Sequence, residues 1–233
     1  MTPRSLMVWV GTWLYMSVAL LICLPVLLLT GRLDFTYRMA RRGLRLLFWL
    51  AGVKVEVEGG ELLPAAGGVV YMANHASYLD PPVLLAELPG EIAFVAKRSL
   101  FNAPVLGWIL RLGGMAPVDR ADRAGSQDSL AAAALQVQNG RPFLIFPEGT
   151  RTRDGGLLPF KKGPFYFAEQ AAVPVVAVSL VGTGALMPRG QWRIRPGVVR
   201  MRIHPPIVPS QWRAEPDPRA ALAALVRARL SDG

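Results

Sequence analysis

The sequence predicts an α/β domain behind an N-terminal membrane-associated segment, and three observations carry that reading. Leu6–Leu29 is an almost wholly apolar run without a charged residue. From about Ala51 the chain alternates short β-branched runs with helical stretches, the pattern of strands and helices packed in layers. Between two of these elements lies Asn74-His75-Ala76-Ser77-Tyr78-Leu79-Asp80, which holds one of only two histidines in the chain. The chain thus divides into a membrane anchor over 1–50 and one α/β domain over 51–233.

Composition narrows the partners. Hydrophobic residues make up 52% of the 233 residues and charged residues 18%, a greasy balance for a soluble protein. The net charge of +10, from 26 Lys+Arg against 16 Asp+Glu, favours an anionic partner: nucleic acid, anionic lipid or a phosphorylated substrate. The arginines cluster beside the apolar segment and in one turn, with no aromatic stacking pattern or recognised module, which speaks against nucleic acid. The single cysteine, Cys23, lies in the apolar run, so a disulfide framework and a cysteine metal site are both excluded.

In order along the chain, the 24 residues Leu6–Leu29 would extend about 36 Å as a helix, against a hydrocarbon core of ~30 Å. The run is too long for a cleaved signal peptide, and no small-x-small cleavage site follows it. Residues 32–50 place Arg32, Arg38, Arg41, Arg42 and Arg45 among Phe35, Tyr37, Leu44, Phe48 and Trp49, against the one acid Asp34. This is a basic amphipathic helix suited to the membrane interface, and a solvated basic face packed on the protein is the alternative. If the first segment spans, the arginines after it hold the remainder in the cytoplasm. A two-helix hairpin dipping into one leaflet is the other topology. Either way the expected location is the cell membrane, with the domain on the cytoplasmic side.

Strands are expected at Val53–Val57, Val69–Met72, Ile92–Ala96, Met115–Val118, Phe143–Phe146, Val173–Leu180 and Val199–Ile203. Helices are expected from Asp80, around Ala103–Leu112, over Ala124–Asn139 (stopped by Asn139-Gly140) and over Pro218–Leu230.

The histidine loop joins a buried strand to a helix that starts at Asp80-Pro81, with Asp80 as N-cap and Pro81 as the first helical residue. On a continuous helix, residues five apart are rotated by about 140°, so His75 and Asp80 meet only if the loop turns back. A carboxylate on one imidazole nitrogen fixes the tautomer and leaves the other nitrogen as a general base. The plainer reading is a capping aspartate beside a loop histidine.

A second motif, Phe146-Pro147-Glu148-Gly149-Thr150-Arg151-Thr152-Arg153, leaves a strand for a Gly-rich turn, and Lys161-Lys162 follows. Gly149 permits a tight path, Thr150 offers a hydroxyl, and Arg151 and Arg153 offer forked donors suited to phosphate. Glu148 is a poor phosphate neighbour by charge, and its expected task is to orient the arginine or hold the turn. A solvated basic turn is the alternative.

Asn74-His75-x4-Asp80 and Phe146–Arg151 together resemble the glycerolipid acyltransferase family, particularly its 1-acyl-glycerol-3-phosphate acyltransferases. Lys97-Arg98-Ser99-Leu100 with Pro104, Gly107-Trp108, Gly113-Gly114 and Asp119-Arg120 is a third block of that likeness, and Val173-Pro174-Val175-Val176 a fourth. The blocks stand in the family's order over roughly 70–180. The sequence departs from the family pattern at Ser99, Pro117 and Ala177.

The resemblance implies a mixed sheet flanked by helices, with the catalytic domain at 51–233. It implies transfer of a fatty acyl group from an acyl thioester, acyl-CoA or acyl carrier protein, to the free hydroxyl of 1-acyl-glycerol 3-phosphate, which gives phosphatidic acid. Another lysolipid acceptor, such as a lyso-ornithine lipid, glycerol 3-phosphate as acceptor, and a non-enzymatic lipid-binding role are the alternatives. His75 would be the base and Asp80 its orienter. Glu148, Gly149, Thr150 and Arg151 fall on the acceptor-phosphate motif, with Lys97 and Arg120 as further phosphate candidates. Such chemistry needs no cofactor and no metal. Backbone N–H groups of the His75 loop, or Lys97, are candidate oxyanion donors.

Overall fold

The computed structural model describes residues 3–65, 67–104, 106–119 and 123–232. Seven strands form one sheet: β1 (Val53–Glu58), β2 (Val70–Ala73), β3 (Ala93–Lys97), β4 (Ala116–Val118), β5 (Phe143–Ile145), β6 (Val175–Val181) and β7 (Gly197–Ile203). Their order is β1-β7-β6-β2-β5-β3-β4. Neighbours run parallel except at β6–β7, where Leu180 opposes Met201 in antiparallel register. The sheet is therefore mixed, as the resemblance implied.

The central strands are buried on both faces, so they read as continuous apolar runs rather than alternating ones. Tyr71, Ala73, Val176 and Val178 point into one core with Phe48, Ala51, Val83, Leu84 and Ala86. Val70, Met72, Val175 and Ala177 point into the other, against Leu130, Ala134, Phe165, Phe167, Leu222 and Val226. Hence α2 (Asp34–Ala51) and α3 (Asp80–Glu87) cover one face, while α5 (Arg123–Gln138), α6 (Lys162–Ala171) and α8 (Pro218–Ser231) cover the other. Two shorter helices, α4 (Leu106–Leu112) and α7 (Thr183–Leu186), complete the set. Sequence reading missed α6, whose Lys-Gly-Pro start and aromatic interior carry little helix propensity.

The N-terminal part is a hairpin of α1 (Pro3–Thr30) and α2, reversed at Gly31 with φ 66°. Arg4 Nε donates to Leu50 O at 3.1 Å and Tyr15 Oη to Met39 O at 2.6 Å, so the helices run antiparallel. The apolar stretch Arg4–Thr30 has mean hydropathy 2.2 and is long enough to cross a membrane, yet only 6% of its window is buried by the protein. The apolar side of α2 packs on the domain. Its Leu47, Phe48 and Ala51 are buried in the domain. Arg41 Nη2 donates to Leu88 O at 2.9 Å and Arg45 Nη2 to Ala86 O at 3.0 Å. Two of the five arginines thus satisfy the carbonyl end of α3, where cations are favoured, rather than facing headgroups.

Candidate active site

β2 and β5 lie side by side, but the chain leaving β2 passes to β3 and the chain leaving β5 passes to β6 on the opposite side. Such a reversal of strand order opens a crevice beyond the carboxyl ends of the strands. The histidine loop follows β2 and the Glu148–Arg151 turn follows β5, so both sequence motifs meet there.

His75 Nδ1 lies 2.8 Å from Asp80 Oδ2. The same oxygen accepts the N–H groups of Ala76 and Ser77, each at 2.7 Å. Asp80 is fully buried, and the His75 side chain is 17% exposed, enough for its ring to reach a substrate. The dyad and the capping expectations resolve unevenly. Asp80 is the first residue of α3 rather than its N-cap, and its carboxylate turns back to the loop. The cause is chemical: Pro81 and Pro82 have no N–H to offer, and Val83 N already donates to Leu79 O at 3.0 Å.

Phe146 stacks on the imidazole with ring centroids 4.0 Å apart. Glu148, 1% exposed, braces the loop from below. Its Oε1 accepts His75 N–H at 2.8 Å and its Oε2 accepts Leu158 N–H at 2.8 Å. It therefore holds the turn, as one of the two expectations had it, and does not orient Arg151. Burial pushes its carboxyl pKa up, opposed by those two hydrogen bonds. Thr152 N–H donates to His75 O at 2.8 Å and closes the two loops on each other.

The N–H groups of His75, Ala76, Ser77 and Leu79 are all taken, the last by Ser77 Oγ at 3.1 Å. These four are spent on folding the loop, which narrows the loop's candidate oxyanion donors to the N–H groups they leave.

Arg151 lays its guanidinium over the Tyr78 ring, 3.5 Å from the centroid, which sets it beside the histidine loop. Gly149 turns with φ 65° and is exposed, and Thr150 is half-buried next to it. Lys97 ends β3, two strands away from β2, and is exposed. Among the described residues no hydrogen bond or ion pair joins it to His75 or Arg151. Arg120 lies outside the described residues.

Sequence reading did not assign Asn74, Ser77 or Tyr78. Asn74 Nδ2 donates to Leu180 O at 2.8 Å while its Oδ1 accepts Leu180 N–H at 2.7 Å, pinning the loop to β6. Ser77 Oγ donates to Met187 O at 2.7 Å. The second histidine, His204, also sits 2.8 Å from a hydroxyl, Ser179 Oγ, but both are buried in the β6–β7 pair. Desolvation pushes the His204 pKa down, and the pair holds structure rather than a substrate. A cavity of about 840 Å³ adjoins the loop, lined by Asn74, Ala76, Thr152, Ser179, Thr183 and Arg189 but not by His75.

The fold and the site define an α/β protein with a carboxylate-oriented histidine and a phosphate-suited arginine at a topological switch point. An acyltransferase profile matches residues 54–181, more than half of the chain. The chain belongs to the acyltransferase family. It is 41% identical over 160 residues to a chloroplastic 1-acyl-sn-glycerol-3-phosphate acyltransferase of Brassica napus, a match over 68% of this chain and 46% of that protein. It is 34% identical over 209 residues to 1-acyl-sn-glycerol-3-phosphate acyltransferase alpha of Ovis aries, covering 88% of this chain and 71% of that one. The chain thus spans about half the length of the plant relatives it matches. A solved structure, the 1-acyl-sn-glycerophosphate (LPA) acyltransferase PlsC from Thermotoga maritima, has the same fold. The TM-score is 0.80 at 29% identity, over 98% of this chain and 95% of that one.

Proposed function

We propose that the protein is a membrane-bound acyltransferase that esterifies 1-acyl-glycerol 3-phosphate with a fatty acyl group from acyl-CoA or an acyl carrier protein, giving phosphatidic acid. The observation that carries the reading is the 2.8 Å contact between His75 Nδ1 and Asp80 Oδ2. With Nδ1–H given to the carboxylate, Nε2 is the unprotonated nitrogen and the base. It takes the proton of the acceptor hydroxyl as that oxygen attacks the thioester carbonyl. The tetrahedral oxyanion collapses, the carbon–sulfur bond breaks, and the imidazolium returns the proton to the leaving thiolate. No covalent enzyme intermediate and no metal enter this route.

Arg151 would hold the acceptor phosphate. Its guanidinium is fixed by Tyr78 at hand to the loop, and a planar fork suits phosphate better than a point charge does. The acceptor named for the relatives favours 1-acyl-glycerol 3-phosphate over other lysolipids. We place the domain at the cytoplasmic face of the cell membrane, where the acyl donor is, and the antiparallel hairpin of α1 and α2 agrees with a domain held on one side by returning the chain to the side where α1 began. Acceptor and product would then stay in the bilayer while the donor comes from water.

Thin-layer analysis of products from a panel of lysolipids with labelled acyl-CoA tests the reading. Labelled phosphatidic acid from lysophosphatidic acid is expected; product from a lyso-ornithine lipid alone would replace the acceptor.

A further inference from the structure

Residues 187–196 carry Arg189, Trp192, Arg193 and Arg195 and no acidic residue. They leave α7 for β7, and the acyl-transfer route above does not use them. At its far end this segment is tied to the base of α1. Ser5 Oγ donates to Ile194 O at 3.3 Å and accepts Ile194 N–H at 3.2 Å. Trp9 Nε1 donates to Trp192 O at 2.8 Å, and the two indoles meet edge to face with centroids 5.3 Å apart.

At its near end the segment is tied to the histidine loop. Met187 O accepts Ser77 Oγ at 2.7 Å, and Arg189 Nη1 donates to Arg151 O at 2.8 Å. Trp192 stacks on Tyr78 with an interplanar angle of 15° and centroids 5.5 Å apart. Tyr78 in turn carries the Arg151 guanidinium. The segment is a strap between the membrane helix and the catalytic loop, and its contacts run unbroken from Trp9 through Trp192 and Tyr78 to Arg151.

Its outer side is unlike an ordinary loop. Trp192 is 56% exposed, and the uncovered apolar side chains of α1 begin beside it with Leu6, Met7 and Val10. An apolar helix surface that starts at the level of the strap must be lipid-covered from there, which sets the strap in the headgroup zone. Tryptophan favours that zone, and arginine is drawn to it by anionic lipid. Arg193 and Arg195 are exposed and have no ion pair among the described residues.

We propose that residues 187–196 are a second membrane contact, seating Trp192 among headgroups and binding anionic lipid through Arg193 and Arg195, and that this contact steadies Arg151 through Tyr78. The contact stands independently; the coupling rests on the acyl-transfer reading. Tyr78 and Trp192 are positioning residues in this scheme.

The contact is tested in the full chain with Arg193→Cys in a Cys23→Ala background, labelled with an environment-sensitive nitrobenzoxadiazole dye. On vesicles of phosphatidylcholine and phosphatidylglycerol the emission shifts to the blue and iodide quenching falls. Unchanged emission and quenching on vesicles that bind the protein overturn the contact. For the coupling, the Arg193→Glu/Arg195→Glu variant raises the lysophosphatidate KM about tenfold on those vesicles, because an unseated strap no longer steadies Arg151 through Trp192 and Tyr78. Its kcat is unchanged, and the difference from wild type fades on phosphatidylcholine alone. Trp192→Ala raises the same KM and Trp192→Phe restores it. An unchanged KM in both variants overturns the coupling. A wild type without turnover removes the acyl-transfer reading and the coupling with it, while the dye still decides the contact.

Discussion

Asp80 Oδ2 takes His75 Nδ1 at 2.8 Å and, with the same oxygen, the N–H groups of Ala76 and Ser77 at 2.7 Å. One atom thus orients the imidazole and folds the loop that carries it. The two tasks are separable by substitution, because asparagine keeps the acceptor oxygen but loses the charge that stabilises the imidazolium, and alanine loses both.

Asp80→Asn should leave most of the fold and lower kcat by about 10²–10⁴, the range of a positioned base. Asp80→Ala should also orphan the buried Ser77 N–H, at roughly 1–3 kcal/mol, and the half-buried Ala76 N–H at less. Steady-state turnover beside thermal unfolding of both variants checks this. Equal unfolding temperatures would show that the carboxylate does not shape the loop.

Arg151→Ala should raise the apparent KM for the phosphorylated acceptor at least about tenfold, a lost charge-assisted contact of ~1.5–3 kcal/mol, and leave the donor KM nearly unchanged. Arg151→Lys should recover only part, since an ammonium neither forks nor stacks on Tyr78 as a guanidinium does. An unchanged acceptor KM would remove Arg151 from the phosphate site.

Glu148 has a raised carboxyl pKa in the folded protein because it is buried. A raised folded value means that its contribution to stability is fully present below the unfolded pKa and is lost as pH rises through the folded one. Glu148→Gln removes that titration, at the cost of setting an amide donor against one of two backbone N–H groups. The unfolding free energy of Glu148→Gln relative to wild type should therefore rise with pH from acid towards neutral. A pH-independent difference in urea unfolding would contradict the assignment.

The lipid-facing end of the hairpin can be tested without disturbing the domain. Leu28 and Leu29 are 71% and 86% exposed, whereas Phe48 and Ala51 belong to the core. Leu28→Glu/Leu29→Glu should abolish vesicle flotation and leave the unfolding temperature near wild type. Deletion of residues 1–50 should instead unfold or aggregate the domain, because it strips Phe48, Leu47 and the Arg41 and Arg45 caps of α3.

The strands and most helices were legible because their apolar runs and stop signals are local. His75 and Asp80 were legible for the same reason, being five residues apart. Strand order was not, so the meeting of the His75 loop with the Glu148 turn rested on family likeness alone until the β2–β5 pairing supplied it. Asn74 and Ser77 find partners 106 and 110 residues away, at Leu180 and Met187, which no local pattern announces. Asp80 as an N-cap was misread because the usual rule supposes free N–H groups in the first turn, and Pro81-Pro82 supply none.

The most direct measurement is turnover of purified, folded His75→Gln with lysophosphatidic acid and labelled acyl-CoA on anionic vesicles. Phosphatidic acid formation by wild type and a loss of at least about 10²-fold in the variant are expected for a positioned base. Wild-type turnover in a folded, membrane-bound His75→Gln protein would contradict the account.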